Sequence, residues 1–153
     1  MHCLYFVIFN REDAENSHQA RLHAENTLLN ENFSISEGFF GRGRADWFVI
    51  GGRWSGVLKR ILLGLSSDNK EKLETTWKNA GIKEPTPYER DDCQSLGYED
   101  DAMIIDQKLF DGLQKMYSDV EIYDANDYRE DTLSEFSAEE LIGHWIVVID
   151  YYR

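Results

Sequence analysis

Residues 144–152 read His-Trp-Ile-Val-Val-Ile-Asp-Tyr-Tyr, which is the most strand-like stretch of the chain. β-branched and aromatic side chains pack well on a pleated strand, and a short continuous apolar run is typical of a buried one. We therefore expect this segment to form a strand near the centre of a sheet.

Weaker patterns of hydrophobic and turn-forming residues predict the other strands and helices along the chain. The sequence predicts further strands at 4–9, 47–50, 102–105 and 120–123, and a returning strand at 53–58. It predicts helices at 12–30, 68–81 and 106–118, and a helical turn opened by Ser137 and Glu140. Residues 57–65 fit a strand or a helix equally well.

Two of the predicted helices, those at 12–30 and 106–118, carry a clear apolar face. In the first, the shared face is predicted to be Ala14, His18, Leu22 and Leu29. In the second, it is predicted to be Leu109, Leu113, Met116 and Tyr117.

Strands and helices that mix without a regular βα repeat favour the α+β class. We expect a single domain over residues 1–153, with a mixed or antiparallel sheet and helices packed mainly on one face. A ferredoxin-like βαββαβ variant fits this order. Residues 66–101 hold both prolines and many acidic residues, so we interpret them as a loop-rich insertion.

The charge of the chain excludes several function classes. The 153 residues include 29 Asp and Glu against 16 Lys and Arg, a net charge of −13. General nucleic-acid binding and attraction to an anionic membrane both need positive charge. The first ten residues lack the pattern of a signal peptide, and two cysteines do not make a disulfide framework, so we expect a cytoplasmic protein.

The negative charge is concentrated in one part of the sequence. Residues 84–140 carry 18 acidic and four basic residues, whereas residues 42–60 hold five basic residues and one acidic residue. An acidic chain therefore contains one basic segment, which is also rich in glycine and tryptophan.

This segment is the predicted binding site. Arginine forks match carboxylates and phosphates, tryptophan faces stack on bases, and glycines let a backbone approach a ligand closely. Together these properties favour a small anionic, nucleotide-like ligand. The predicted ligand-binding residues are Arg42, Arg44, Asp46, Trp47, Gly51, Gly52, Arg53, Trp54, Ser55 and Gly56.

The same residues also fit a purely structural role. Gly51-Gly52 is a typical tight-turn pair, two tryptophans can pack in a core, and Arg53 has many carboxylates with which to pair. The sequence leaves both interpretations open.

The string Asp-Trp-Phe-Val-Ile-Gly-Gly-Arg-Trp-Ser-Gly at 46–56 resembles a signature of a family of small bacterial and phage proteins. Those proteins begin with a strand and helix, like residues 3–30, and end in an apolar strand, like residues 144–152. The resemblance implies a bacterial or phage origin and a place for a site. It implies no activity, cofactor or catalytic residue.

Catalytic and metal patterns are weak. Ser55 and His144 could serve as nucleophile and base, but nothing in the sequence links them. The histidines and cysteines lack zinc-binding spacing, although Glu99, Asp100 and Asp101 could form a loose Mg²⁺ or Ca²⁺ site. We predict no metal and no cofactor.

Three functions fit these observations. The first is a non-catalytic domain that binds a small anion at residues 46–56. The second is an acidic inhibitor or interaction protein that binds a basic protein partner through residues 84–140, as a monomer or a homodimer. The third is a hydrolase acting on a nucleotide or another phosphate ester, and we expect this enzymatic function less than the other two.

Overall fold

A computed structural model describes residues 2–30, 47–64 and 97–152. They form one α+β unit with a six-stranded mixed sheet, which confirms the predicted fold class. The strands are β1 (His2–Phe9), β2 (Trp47–Ile50), β3 (Ala102–Ile104), β4 (Glu121–Asp124), β5 (Arg129–Thr132) and β6 (Trp145–Tyr152). The helices are α1 (Ser17–Asn30), α2 (Val57–Leu62), α3 (Gln107–Met116) and α4 (Ala138–Leu141).

The strand at 144–152 is central, as predicted. The strand order is β2-β6-β1-β4-β5, and β3 also pairs with β6. β6 runs antiparallel to β1 along its whole length, from the pair His2 and Tyr152 to the pair Phe9 and Trp145. β1 and β4 pair in parallel, which departs from the antiparallel neighbours of a ferredoxin-like sheet.

β2 and β3 lie one after the other along the free edge of β6. β2 pairs with residues 149–152 and β3 with residues 145–147, both antiparallel to β6. They therefore act as one edge strand that is interrupted between Ile50 and Ala102. The segment predicted as the binding site leaves the sheet at this interruption.

Side chains alternate between the two faces of the sheet and build a core on each. Tyr5, Val7 and Phe9 face α1, whereas Phe6 and Ile8 face the other three helices. Of the four described helices, three thus share one face, as predicted, and α1 alone covers the other.

The predicted apolar face of the first helix is wrong. α1 begins at Ser17, after a 3₁₀ turn at Arg11–Asp13. Leu22 and Leu29 are 37% and 55% exposed. The buried residues are instead Ala20, Ala24 and Leu28, because the small alanine side chains let the helix approach an aromatic sheet face closely.

The outcome of the remaining secondary-structure predictions follows the strength of their sequence patterns. The helix at 106–118 and the turn opened by Ser137 are confirmed as α3 and α4. The ambiguous segment at 57–65 contains helix α2. Strand β5 escaped prediction because its sequence, Arg-Glu-Asp-Thr, lacks strand-forming residues. The predicted helix at 68–81 lies outside the described residues.

Candidate functional site

The structure describes the second half of the predicted site. Arg42, Arg44 and Asp46 lie outside the described residues, as does the side chain of Trp47. The other six predicted residues lie in the turn between β2 and α2, and we call residues 51–56 the glycine turn. They are Gly51, Gly52, Arg53, Trp54, Ser55 and Gly56.

The glycine turn is not the predicted hairpin. Gly52–Trp54 forms a 3₁₀ turn, and the chain then enters α2, so the predicted returning strand at 53–58 is wrong. Gly51, Gly52 and Gly56 have φ values of 75°, 54° and 83°, in the region that favours glycine. In a hairpin, backbone N–H groups of this segment would have paired with the neighbouring strand. In the structure they donate hydrogen bonds to two buried carboxylates instead.

Asp101 is the first of these carboxylates, and its side chain is fully buried. One oxygen accepts the backbone N–H of Gly56 at 2.9 Å. The other accepts the hydroxyl of Ser55 and the backbone N–H of Tyr98, the latter at 2.8 Å. Asp101 thus ties the start of α2 to the segment that returns the chain to β3.

Asp150 is the second carboxylate, and it projects from the central strand β6 with 1% exposure. It accepts the backbone N–H of Arg53 at 2.8 Å. It also lies 3.0 and 3.1 Å from Nδ1 of His2 on β1. A single carboxylate therefore fixes both the glycine turn and a histidine.

The glycines of the turn make room for these carboxylates. A Cβ atom on Gly51 would lie 2.9 Å from Cγ of Asp101, and one on Gly52 would lie 2.7 Å from Cβ of Asp150. Such separations leave no space for a side chain. The glycines were predicted to let the backbone approach a ligand, and in the described structure they let it approach two carboxylates of the protein itself.

Burial and local donors act in opposite directions on both carboxyl groups. Burial raises the pKa of Asp101, against the hydrogen bonds from Ser55, Tyr98 and Gly56 and the charge of Arg21. Burial likewise raises the pKa of Asp150, against the Arg53 N–H and the neighbouring His2. Neither carboxyl group is accessible enough to contact a ligand directly.

Arg53 and Trp54 are the side chains of the turn that keep unused donors. Arg53 is exposed, and its guanidinium makes no hydrogen bond or ion pair with any described residue. Trp54 is half-buried against the core beneath α2 and α3. Its Nε1 is fully buried, yet no acceptor lies within reach in the described part of the chain.

The structure does not bring Ser55 and His144 together as a catalytic pair. The hydroxyl of Ser55 is bound to Asp101, and the residue is 1% exposed, so it is closed to a substrate. His144 lies at the start of β6, whereas Asp150 and the glycine turn are near its other end.

The three acidic residues that could have formed a loose Mg²⁺ or Ca²⁺ site are not brought together either. Asp101 turns inward, and Asp100 pairs with Lys59 at 3.4 Å. Glu99 stays exposed. Across residues 2–30, 47–64 and 97–152, no three His, Cys, Asp or Glu side chains are grouped to hold a metal ion.

Sequence reasoning missed Asp101, Asp150 and His2. Asp150 did carry a signal, because it is the one charged residue in the apolar strand at 144–152 and a buried charge needs partners. Asp101 follows two other acidic residues, and nothing in the sequence distinguishes the buried one.

No helix within the described ranges is long and apolar enough to cross a membrane. Comparison of the chain with known proteins found no family model, no curated protein and no solved structure that matches it.

Proposed function

We propose that the protein is a non-catalytic binding domain for a small anionic, nucleotide-like ligand, held at Arg53 and Trp54. The observation that carries this proposal is the pair of adjacent side chains whose donors meet no acceptor in the described structure. A buried N–H without an acceptor is unfavourable by about 1–3 kcal/mol, which a ligand oxygen would relieve.

The surroundings of Arg53 support an anionic ligand. Its backbone is held by Asp150, so the turn loses little freedom when a ligand binds. A guanidinium offers a planar set of donors that matches phosphate or carboxylate oxygens. The indole ring beside it offers an apolar surface for a base or another ring.

The glycines and Ser55 contribute to this function by shaping the turn. Their own groups contact Asp101 and Asp150, so we assign them no ligand contact. Arg42, Arg44, Asp46 and Trp47 stay in the proposal on the strength of the sequence alone.

The proposal is tested by ligand-induced stabilisation and calorimetry with AMP, ADP and inorganic phosphate. At a ligand concentration one hundred times the dissociation constant, the folded state gains about 2.7 kcal/mol, which raises the melting temperature. We expect Arg53→Gln to remove this gain while leaving the ligand-free melting temperature nearly unchanged.

Arg11→Gln is the matched control. Arg11 is also exposed and lies beyond the opposite end of β1, so the variant loses the same charge far from the glycine turn. Equal loss of affinity in both variants would show general charge attraction instead of a site. Absence of stabilisation by every probe would overturn the proposal.

The acidic surface supports a second function, which is binding to a basic protein partner. Residues 97–140 carry 14 acidic and three basic residues. Many of these acidic side chains are exposed, including Asp111, Asp119 and Asp127. A surface of one sign accelerates association with a partner of the opposite sign.

This second function predicts a salt-sensitive interaction. A triple Asp→Asn variant at 111, 119 and 127 should slow association with the partner and flatten its dependence on NaCl concentration. An interaction that is insensitive to both changes would contradict the role of this surface.

A further inference from the structure

The turn between β4 and β5 carries a strained tyrosine. Tyr128 has a φ of 54°, and among the described residues it is the one other than glycine with a positive φ. It is the last residue of this turn, and at such a position the left-handed conformation ordinarily favours glycine or asparagine. Backbone strain of this kind is concentrated at functional sites, where the surrounding structure maintains it.

The side chain of Tyr128 points to a use outside the core. It is 66% exposed, more than any other large hydrophobic side chain in the described ranges. Packing in the core is therefore not what the strained backbone serves. Tyrosine is one of the residues that contribute most of the binding energy at protein interfaces.

The turn beneath the ring is held by hydrogen bonds to the strand before it and to a second loop. Oδ1 of Asp124 accepts the backbone N–H of Asn126 at 3.0 Å. The Asn126 side chain accepts the N–H of Asn10 at 2.7 Å and donates to Asp13 at 3.0 Å. Tyr128 thus stands on a fixed base, so little conformational freedom is lost when a partner binds there.

The open charges of this turn are negative. Asp127 precedes Tyr128, and Asp13 is bonded to the same turn. Both of these aspartates are exposed, and neither forms an ion pair with a described residue. Arg129, the next residue along the chain, is engaged by Glu140 at 2.6 Å. An aromatic face beside open carboxylates suits a cation, and a planar guanidinium stacks on such a face better than an ammonium does.

We propose that Tyr128 is the residue on which a basic protein partner places an arginine side chain. The guanidinium lies on the tyrosine ring, and the carboxylates of Asp13 and Asp127 attract it. This inference rests on the second proposed function, the binding of a basic partner, and names the residue that anchors that partner. A glycine at this position would relieve the strain and lose the contact.

The test follows binding of fluorescently labelled octa-arginine by anisotropy at several NaCl concentrations. Tyr128→Leu keeps an apolar side chain and removes the aromatic face. We expect this variant to bind octa-arginine about threefold more weakly, as for the loss of an exposed cation–π contact. Tyr128→Phe keeps the face and should bind like the wild type. Tyr152→Leu is the matched control, because it removes an exposed tyrosine at the opposite end of the sheet.

The outcomes separate this inference from the function on which it rests. Salt-sensitive binding that Tyr128→Leu leaves unchanged would overturn the role of the ring and leave the acidic surface standing. Weaker binding in Tyr128→Phe would assign the contact to the hydroxyl group and overturn the stacked arginine. No binding of octa-arginine by the wild type at low salt would overturn both proposals.

A second variant tests whether the strain is kept for binding. Asparagine adopts the left-handed conformation more readily than tyrosine. Tyr128→Asn should therefore raise the melting temperature while it weakens the binding of octa-arginine. A lower melting temperature in Tyr128→Asn would show that the ring supports the fold, and would overturn the inference.

Discussion

The two buried aspartates give the glycine turn its shape. Asp101 and Asp150 replace the strand that a hairpin would have supplied, and each accepts backbone N–H groups that would otherwise be buried without partners. Asp150 is the one charged residue of an apolar strand, a signal that the prediction from the sequence did not use. The partners of Asp150 could not be predicted, because they come from residues 2 and 53, which are distant in sequence.

A pair of glycine substitutions separates backbone strain from packing. Gly51 and Gly64 have similar φ values of 75° and 71°, but a Cβ atom on Gly64 would meet nothing within 4 Å. Gly64→Ala should lower the free energy of unfolding by about 1 kcal/mol, through the left-handed backbone alone. Gly51→Ala should lower it by at least about 3 kcal/mol, because its side chain would also displace Asp101.

Urea denaturation of both variants measures this difference. Similar losses in the two variants would mean that the space around Asp101 is not tightly filled.

The pKa shift of Asp101 predicts an unusual pH dependence. Burial raises the pKa of this carboxyl group in the folded protein. The folded state then holds the proton more tightly than the unfolded state, so the stabilisation is complete below the ordinary aspartate pKa of about 3.9. It is lost as the pH rises through the folded-state pKa.

The stability advantage of the wild type over Asp101→Asn should therefore shrink as the pH rises above the ordinary aspartate pKa of about 3.9. Urea denaturation of both proteins at several pH values tests this. An advantage that grows with pH would show that the ionised carboxylate stabilises the fold.

At the scale of elements, the sequence predicted what strong periodicity determines. The stripe of Leu109, Leu113, Met116 and Tyr117 predicted α3 well, and the structure adds an N-cap at Asp106, whose side chain accepts the backbone N–H of Leu109. α1 has no comparable pattern, because its buried face is made mainly of alanines while two leucines point outward. Its orientation depends on the sheet beneath it, which the helix sequence does not encode.

The contact between α2 and α3 depends on a glycine within a helix. A Cβ atom on Gly112 would collide with Cγ2 of Ile61, so the two helices approach each other at this point. Although alanine favours a helix by about 1 kcal/mol over glycine, Gly112→Ala should destabilise the protein by about 1–2 kcal/mol.

Ile61→Leu removes the colliding branch and should relieve this effect. We expect the double variant to be more stable than the sum of the single changes by about 1 kcal/mol, measured in a double-mutant cycle. Strictly additive changes in the free energy of unfolding would mean that α2 and α3 move apart at this contact without loss of stability.

At the scale of the whole molecule, charge repulsion opposes compaction. The chain carries a net charge of −13, and its described ion pairs with lysine or arginine are few and partly exposed. Salt shortens the Debye length from about 30 Å at 0.01 M to about 10 Å at 0.1 M. We expect the melting temperature to rise between 0.02 and 0.5 M NaCl, and a fall would mean that local ion pairs outweigh the repulsion.

The strand order could not be derived from the sequence. Five of the six strands were predicted from their own residues, but strand order depends on contacts between segments as distant as β1 and β6. The fold class followed from the mixture of elements, whereas the parallel β1–β4 pair and the split edge strand did not.

β6 follows in the sequence all three strands with which it pairs. A ribosome that has synthesised residues 1–144 has released β1, β2 and β3 without the strand to which all three pair. The edge of β1 that pairs with β6 therefore stays unpaired along Tyr5–Phe9 until residues 145–152 emerge from the ribosome. This sheet can therefore be completed only after β6 has been synthesised, and chains interrupted before β6 are candidates for chaperone binding or aggregation.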